Sequence, residues 1–150
     1  MLGHEKYRYF IRSAALKYGI KPSLLGGQIS LESNFDPSLV SLNIKNGKVL
    51  SRDRGLAQIN DYWHPSITDS QAFNPQFAVN WMALYMRELY DNLPRRYKIL
   101  PDWYRWNAAL RQYNTGSPKR TFVGSRYARV VRQRQVQVIT LDKKRKLDTI

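Results

Sequence analysis

The 150-residue chain contains no cysteine, so neither a disulfide nor a thiolate metal ligand is available and stability rests on packing alone. Histidine is almost as scarce. His4 and His64 are the only two, no His/Asp/Glu cluster has metal-ligand spacing, and Gly26-Gly27 lacks the Lys-Ser/Thr of a phosphate loop, so no metal and no cofactor is expected. No apolar run approaches the length of a bilayer span. The start Met1-Leu2-Gly3-His4-Glu5-Lys6-Tyr7 lacks an apolar core of signal-peptide length, so no export route of the chain's own is expected. Acidic residues are few, 11 against 25 basic ones, and the resulting charge of +14 points to a polyanionic partner or surface. Nucleic acid, teichoic acid and anionic lipid all satisfy that condition.

The chain does hold enough residues for one domain with a sizeable core, and there are no internal repeats or low-complexity segments. Ten Tyr, four Trp and five Phe suit a core plus a groove that stacks on flat ligands, whether sugar rings or bases. Tyr7, Phe10, Ile11, Ala14, Ala15 and Tyr18 recur at three- and four-residue spacings and predict a helix from His4 to Tyr18, stopped by Gly19. Pro22 opens a second helix running to Glu32, and its Gly26-Gly27 pair implies close packing against another backbone. Leu42-Asn43-Ile44 and Lys48-Val49-Leu50 flank Lys45-Asn46-Gly47 as a hairpin. Asn74-Pro75 starts a helix over Gln76 to Asn92 whose apolar residues cover most of its circumference, the expected buried central helix. Further helices are expected from Pro101-Asp102 through Leu110 and from Gly124 to about Val138. Trp63, Trp103 and Trp106 are expected in the core, with any one of them able to floor a sugar subsite instead.

Glu32 is the most informative residue. A carboxyl at the end of an apolar helix loses solvation, which disfavours its charged form and makes it a natural general acid at neutral pH. It sits in Ile29-Ser30-Leu31-Glu32-Ser33-Asn34-Phe35-Asp36-Pro37, followed by Gly55-Leu56-Ala57-Gln58-Ile59-Asn60, by Gln112-Tyr113-Asn114-Thr115-Gly116 and by Tyr127. Four such blocks in this order resemble the soluble lytic transglycosylase (SLT) domain of the lysozyme superfamily, of the kind found in phage and secretion-associated wall enzymes, over roughly residues 8–138. The resemblance departs at Ala57, where the family carries Met.

That resemblance implies a mainly α, lysozyme-like single domain (α+β, with a small hairpin beside the cleft) over residues 1–138 and a basic tail over 139–150. It implies a peptidoglycan-degrading enzyme cleaving the β-1,4 bond between N-acetylmuramic acid and N-acetylglucosamine. Glu32 would be the catalytic acid and base; Ser33, Gln58, Tyr113, Asn114 and Tyr127 would surround the substrate or Glu32. Simpler roles stay open beside these. Ser33 could cap a carbonyl, Gln58 could brace the cleft wall, and Asn114 could end a helix before Gly116. Tyr127 could be packing, with Tyr113 or Tyr104 in its place.

Asp53 leaves the chemistry divided. Ser51-Arg52-Asp53-Arg54-Gly55-Leu56-Ala57-Gln58-Ile59-Asn60 also resembles the second-carboxylate segment of animal-type lysozymes, which makes a muramidase hydrolase using Glu32 and Asp53 the alternative. Asp53 could equally pair with Arg52, Arg54 or a later Arg. A nucleic-acid-binding protein is the distant rival, motivated by charge and by Trp103, Tyr104 and Trp106 beside Arg105, but no nucleic-acid motif accompanies them. Much of the positive excess lies in Lys119, Arg120, Arg126, Arg129, Arg132, Arg134, Lys143, Lys144, Arg145 and Lys146, read either as a solvated helix face with a frayed tail or as a patch for anionic wall polymers. The expected place of action is the bacterial wall, reached by holin-dependent release, in a virion or through a secretion apparatus.

Overall fold

A computed structural model describes residues 2–148 and shows a mostly helical chain with one small antiparallel sheet. Met1, Thr149 and Ile150, the last two belonging to the expected tail, lie outside the described residues. Helix α1 (Leu2–Tyr18) begins two residues earlier than the sequence suggested and buries Tyr7, Ile11, Ala14 and Ala15, one face at helical spacing. Gly19 ends it at φ 65°, and the Arg87 guanidinium satisfies the carbonyls there, Nε donating to Tyr18 at 2.8 Å and Nη2 to Gly19 at 2.8 Å.

Helix α2 (Pro22–Ser33) takes the central position that periodicity assigned to the helix after Asn74. Every residue from Leu24 to Ser30 is buried. The long helix α4 (Pro75–Asp91), capped by the Asn74 side chain on the Phe77 N–H at 2.9 Å, instead keeps an exposed edge at Leu84, Glu88 and Asp91. The reason is the last helix, α7 (Phe122–Asp148), which lies along α2 and covers the side that α4 leaves open. At Gly27 the two backbones are so close that a Cβ would stand 2.7 Å from the Gln135 nitrogen and 2.8 Å from the Val131 oxygen. The pairing is antiparallel: Gln135 donates to Ser23 at 3.1 Å near the start of α2, and Tyr127 reaches Glu32 near its end.

Strands β1 (Val40–Lys45) and β2 (Lys48–Arg54) form the anticipated hairpin, and Asn46 and Gly47 turn it at φ 52° and 74°. The register slips between Asn43 and Ile44, where Leu50 is left as the extra residue. A two-residue β3 (Ile59–Asn60), which no sequence pattern announced, pairs with β2 and completes the order β1-β2-β3. The sheet is tied to α3 (Asp69–Ala72) by arginines: Arg54, 2% exposed, contacts Asp69 at 2.7 Å, and Arg52 contacts Asp61 at 2.9 Å and Asp69 at 3.1 Å.

After the short α5 (Arg95–Lys98), α6 (Asp102–Thr115) buries Trp106, Ala109 and Leu110 and packs on both α4 and α7. Gly116, at φ 75°, closes it, its N–H donating to the Gln112 carbonyl at 2.8 Å. The last helix starts at Phe122 and continues ten residues past the expected end at Val138, because no Gly or Pro follows Gly124 and Arg8 of α1 holds Asp142 at 3.4 Å. Ala is the better helix former by about 1 kcal/mol, yet Gly27→Ala should destabilise the fold by about 1–3 kcal/mol, since its Cβ meets backbone that cannot move aside. Urea unfolding checks this, and a midpoint equal to or above the parent's would mean that the crossing is looser.

Candidate active site

The Gly27 crossing delivers one acidic and one phenolic side chain to the same point. Glu32 ends α2 at the floor of an open cleft of about 1240 Å³, walled by the sheet on one side and by the end of α6 on the other. The Tyr127 hydroxyl donates to Glu32 Oε1 at 2.5 Å and itself accepts from Gln28 Nε2 at 3.2 Å. Gln28 and Glu32 are one turn apart on α2, so a single helix face sets both ends of this relay.

Burial is the largest influence on Glu32 and pushes its pKa up from 4.5 to about 7. The Tyr127 hydrogen bond opposes that rise, and the negative charge of Asp53 adds to it. Burial, then the charge of Glu32, drives the Tyr127 pKa well above 10, so the phenol stays neutral and keeps the proton it donates. The cleft therefore contains a carboxyl that holds a proton near neutrality and can release it, the property a general acid needs.

Asp53 lies on β2, facing the same cleft. Its two oxygens accept from Asn43 Nδ2 at 2.9 Å and Asn60 Nδ2 at 2.7 Å. Among the described residues neither Arg52 nor Arg54 pairs with it; Arg52 turns to Asp61 and Asp69, and Arg54 to Asp69. Asn60 in turn accepts from the Tyr62 and Trp63 backbone at 3.0 and 3.1 Å, which links the second carboxylate to an exposed aromatic turn.

Ser33 makes no hydrogen bond to Glu32 among the described residues. Its hydroxyl lies 3.0 Å from the Leu56 carbonyl and 3.3 Å from that of Ile29, which pins the end of α2 to the Gly55-Leu56 turn. Gln58 lines the cleft, but its amide nitrogen donates to Leu39 at 3.2 Å and Gly55 at 2.9 Å, and its oxygen accepts from Ser41 at 2.7 Å. Tyr113 is separated from Tyr127 by its partner: its hydroxyl donates to the Ala57 carbonyl at 2.5 Å, again across the cleft. Asn114 lines the cleft beside it with no side-chain hydrogen bond to protein among the described residues.

The aromatic groove expected from composition falls on His64, Trp81 and Tyr85, none of which was read as a cleft residue. His64 meets Trp81 and Tyr85 edge to face at 4.9 and 5.1 Å, and Tyr113 stands 5.7 Å from Tyr85. Trp81 and Tyr85, one turn apart on α4, read as core until the sheet is seen to open a cleft above them. Of the three tryptophans expected in the core only Trp106 lies there; Trp63 and Trp103 are 73% and 53% exposed, and Trp63 lines the cleft. A second hollow, between α1 and α4, has no carboxylate in its lining. Among the described residues no group of His, Asp or Glu is gathered to hold a metal ion.

A mostly helical domain with a three-stranded sheet beside a cleft, and a carboxyl of raised pKa on the cleft floor, has the lysozyme-like fold. The family model of the transglycosylase SLT domain matches residues 9–131, and the chain belongs to that family. It is thus an enzyme of lytic-transglycosylase type with peptidoglycan as its substrate and the cell wall as its place of action. Against curated proteins the chain has no match.

The shifted carboxyl has a cost for stability with a definite sign. Below 4.5 Glu32 is protonated in folded and unfolded chains alike; as the pH rises from there to about 7 the unfolded chain ionises first, so stability falls and then levels off. Glu32→Gln, which keeps an acceptor for Tyr127, should therefore be more stable than the parent at pH 8, by up to about 3 kcal/mol, and about equal to it at pH 4. Denaturant unfolding of both proteins at the two pH values measures the difference.

Proposed function

We propose that the protein cleaves the β-1,4 bond between N-acetylmuramic acid and N-acetylglucosamine as a lytic transglycosylase, leaving 1,6-anhydromuramyl ends. The observation that carries this reading is Glu32, buried on the cleft floor with a pKa of about 7 and held by Tyr127. Glu32 protonates the glycosidic oxygen, the substrate's N-acetyl group stabilises C1, and the carboxylate then takes the C6 hydroxyl proton as the ring closes. Tyr127 is a positioning residue that keeps one oxygen of the carboxyl engaged and leaves the other for the substrate. Ser33, Gln58 and Tyr113 hold the walls through backbone carbonyls, and Asn114, without a protein partner, contacts sugar.

Asp53 supports a second reading. A carboxylate clamped by two amides across the same cleft is suited to stabilise developing positive charge or attack C1, the hydrolase chemistry of two paired carboxylates. Purified sacculi digested by the parent, Glu32→Gln and Asp53→Asn proteins separate the two by the ends released. The transglycosylase predicts anhydro ends, a loss of about 100-fold or more in Glu32→Gln and of about tenfold or less in Asp53→Asn. Reducing ends with a large loss in Asp53→Asn would make the enzyme a muramidase, and an undiminished Glu32→Gln would sink both readings.

The basic C-terminal stretch is proposed to hold the enzyme near anionic wall polymers. Lys143, Lys144 and Lys146 are exposed on the final turns of α7. Delivery by a phage particle, by lysis or by a secretion apparatus is the setting that the family resemblance suggests for such an enzyme. Removal of residues from Lys143 onward should lower activity on whole walls at low salt and leave activity on soluble glycan strands unchanged; equal losses on both would refute the division of labour.

A further inference from the structure

The segment joining α4 to α6 is apolar where it meets solvent. Ile99 is 83% exposed and Leu100 40%, and Trp103 and Tyr104 expose 53% and 52% at the start of α6. The two rings meet edge to face at 4.9 Å, and the exposed aliphatic pair stands just before them in the chain. Trp106, three residues on from Trp103, turns inward against Tyr90 at 4.2 Å, which shows that the helix has an inner face for an indole and that Trp103 does not use it.

Cations rim this patch. Arg95, Arg96 and Lys98 of α5 are exposed and form no ion pair among the described residues, and the Arg132 guanidinium stands 5.3 Å over the Trp103 ring. The carboxylate within the segment, Asp102, is engaged by the Tyr90 hydroxyl at 2.5 Å. Aliphatic side chains that can bury, Trp and Tyr that favour a boundary between hydrocarbon and water, and Arg and Lys beside them without a carboxylate partner among the described residues match the headgroup region of a negatively charged bilayer. A soluble polyanion rewards the cations but gives Ile99 and Leu100 nothing to bury in, and nucleic acid would use the rings without the aliphatic pair.

We propose that α5 and the start of α6 form a docking surface for anionic lipid bilayers. None of residues 95–104 lines the cleft, so a membrane-docked molecule keeps the Glu32 side open to glycan. The surface does not depend on which glycosidic chemistry the cleft performs.

The test is co-sedimentation with phosphatidylcholine vesicles, with and without phosphatidylglycerol, for the parent, Ile99→Asp/Leu100→Asp and Arg95→Gln/Arg96→Gln/Lys98→Gln proteins. The parent is expected to pellet with the anionic vesicles only, and each variant to bind them about tenfold or more weakly while keeping the parent's thermal midpoint and its activity on soluble glycan strands. A blue shift of tryptophan emission on vesicle addition should disappear in Trp103→Phe, which reads insertion without relying on charge. Failure of the parent to pellet, equal binding by the aliphatic variant, or an emission shift that persists in Trp103→Phe would each overturn the proposal, the second by reducing it to general attraction from a chain of charge +14.

Discussion

The contact on which the rest of the structure depends is the backbone approach of α2 and α7 at Gly27. Neither helix holds the buried carboxyl and its donor together: Glu32 belongs to one, Tyr127 to the other, 95 residues apart in sequence. Because Gly27 has no Cβ, the Val131 carbonyl and Gln135 amide come within the distance a methyl group would occupy, and one helical turn further along each helix Tyr127 arrives at Gln28 and Glu32. A wider crossing would leave the carboxyl without its donor and more open to water. Since the raised pKa of Glu32 comes chiefly from burial, the same crossing sets both the shift and the hydrogen bond that moderates it.

The opposite wall of the cleft is built by a different force. The sheet has little core of its own: all six residues of β1 are exposed. Its position is set by charge and hydrogen bonds, with Arg54 buried and directed at Asp69, Arg52 bridging Asp61 and Asp69, and both carboxyls held below their usual range, Asp61 chiefly by the Arg52 backbone N–H and Asp69 by the Arg54 and Arg52 guanidinium groups. That network releases Asp53 from any arginine and leaves it to the amides of Asn43 and Asn60. The two carboxyl groups of the cleft therefore sit in contrasting surroundings. Glu32 is in a largely desolvated pocket with one phenolic donor, and Asp53 is on a polar strand with two amide donors.

Much of the helical framework was legible because its signals are local. Pro22, Gly19, Asn74-Pro75 and Gly116 punctuate the chain where helices begin and end, and Asn46-Gly47 makes a tight hairpin turn because both residues tolerate positive φ. The glycine pair in α2 announced a close neighbour, though not which one. Where the signal was missing or shared between outcomes, sequence reasoning stopped. Two residues of β3 carry no period, α7 has no stop signal beyond Val138, and an apolar circumference on α4 looks the same whether it faces core or a cleft lined by Trp81 and Tyr85.

By itself the sequence determined the order of the long helices and the hairpin, the family, and the placing of Glu32 at the end of an apolar helix, because propensity, punctuation and motif spacing are properties of neighbouring residues. Only the tertiary structure decided between Tyr127 and Tyr113 as the partner of Glu32, turned Arg52 and Arg54 away from Asp53, gave α2 rather than α4 the centre, and brought Trp63 out to the cleft. Each of those outcomes depends on which surfaces meet across long stretches of chain. A backbone contact at Gly27 and a buried guanidinium at Arg54 settle them, and neither is encoded within one turn of helix or strand.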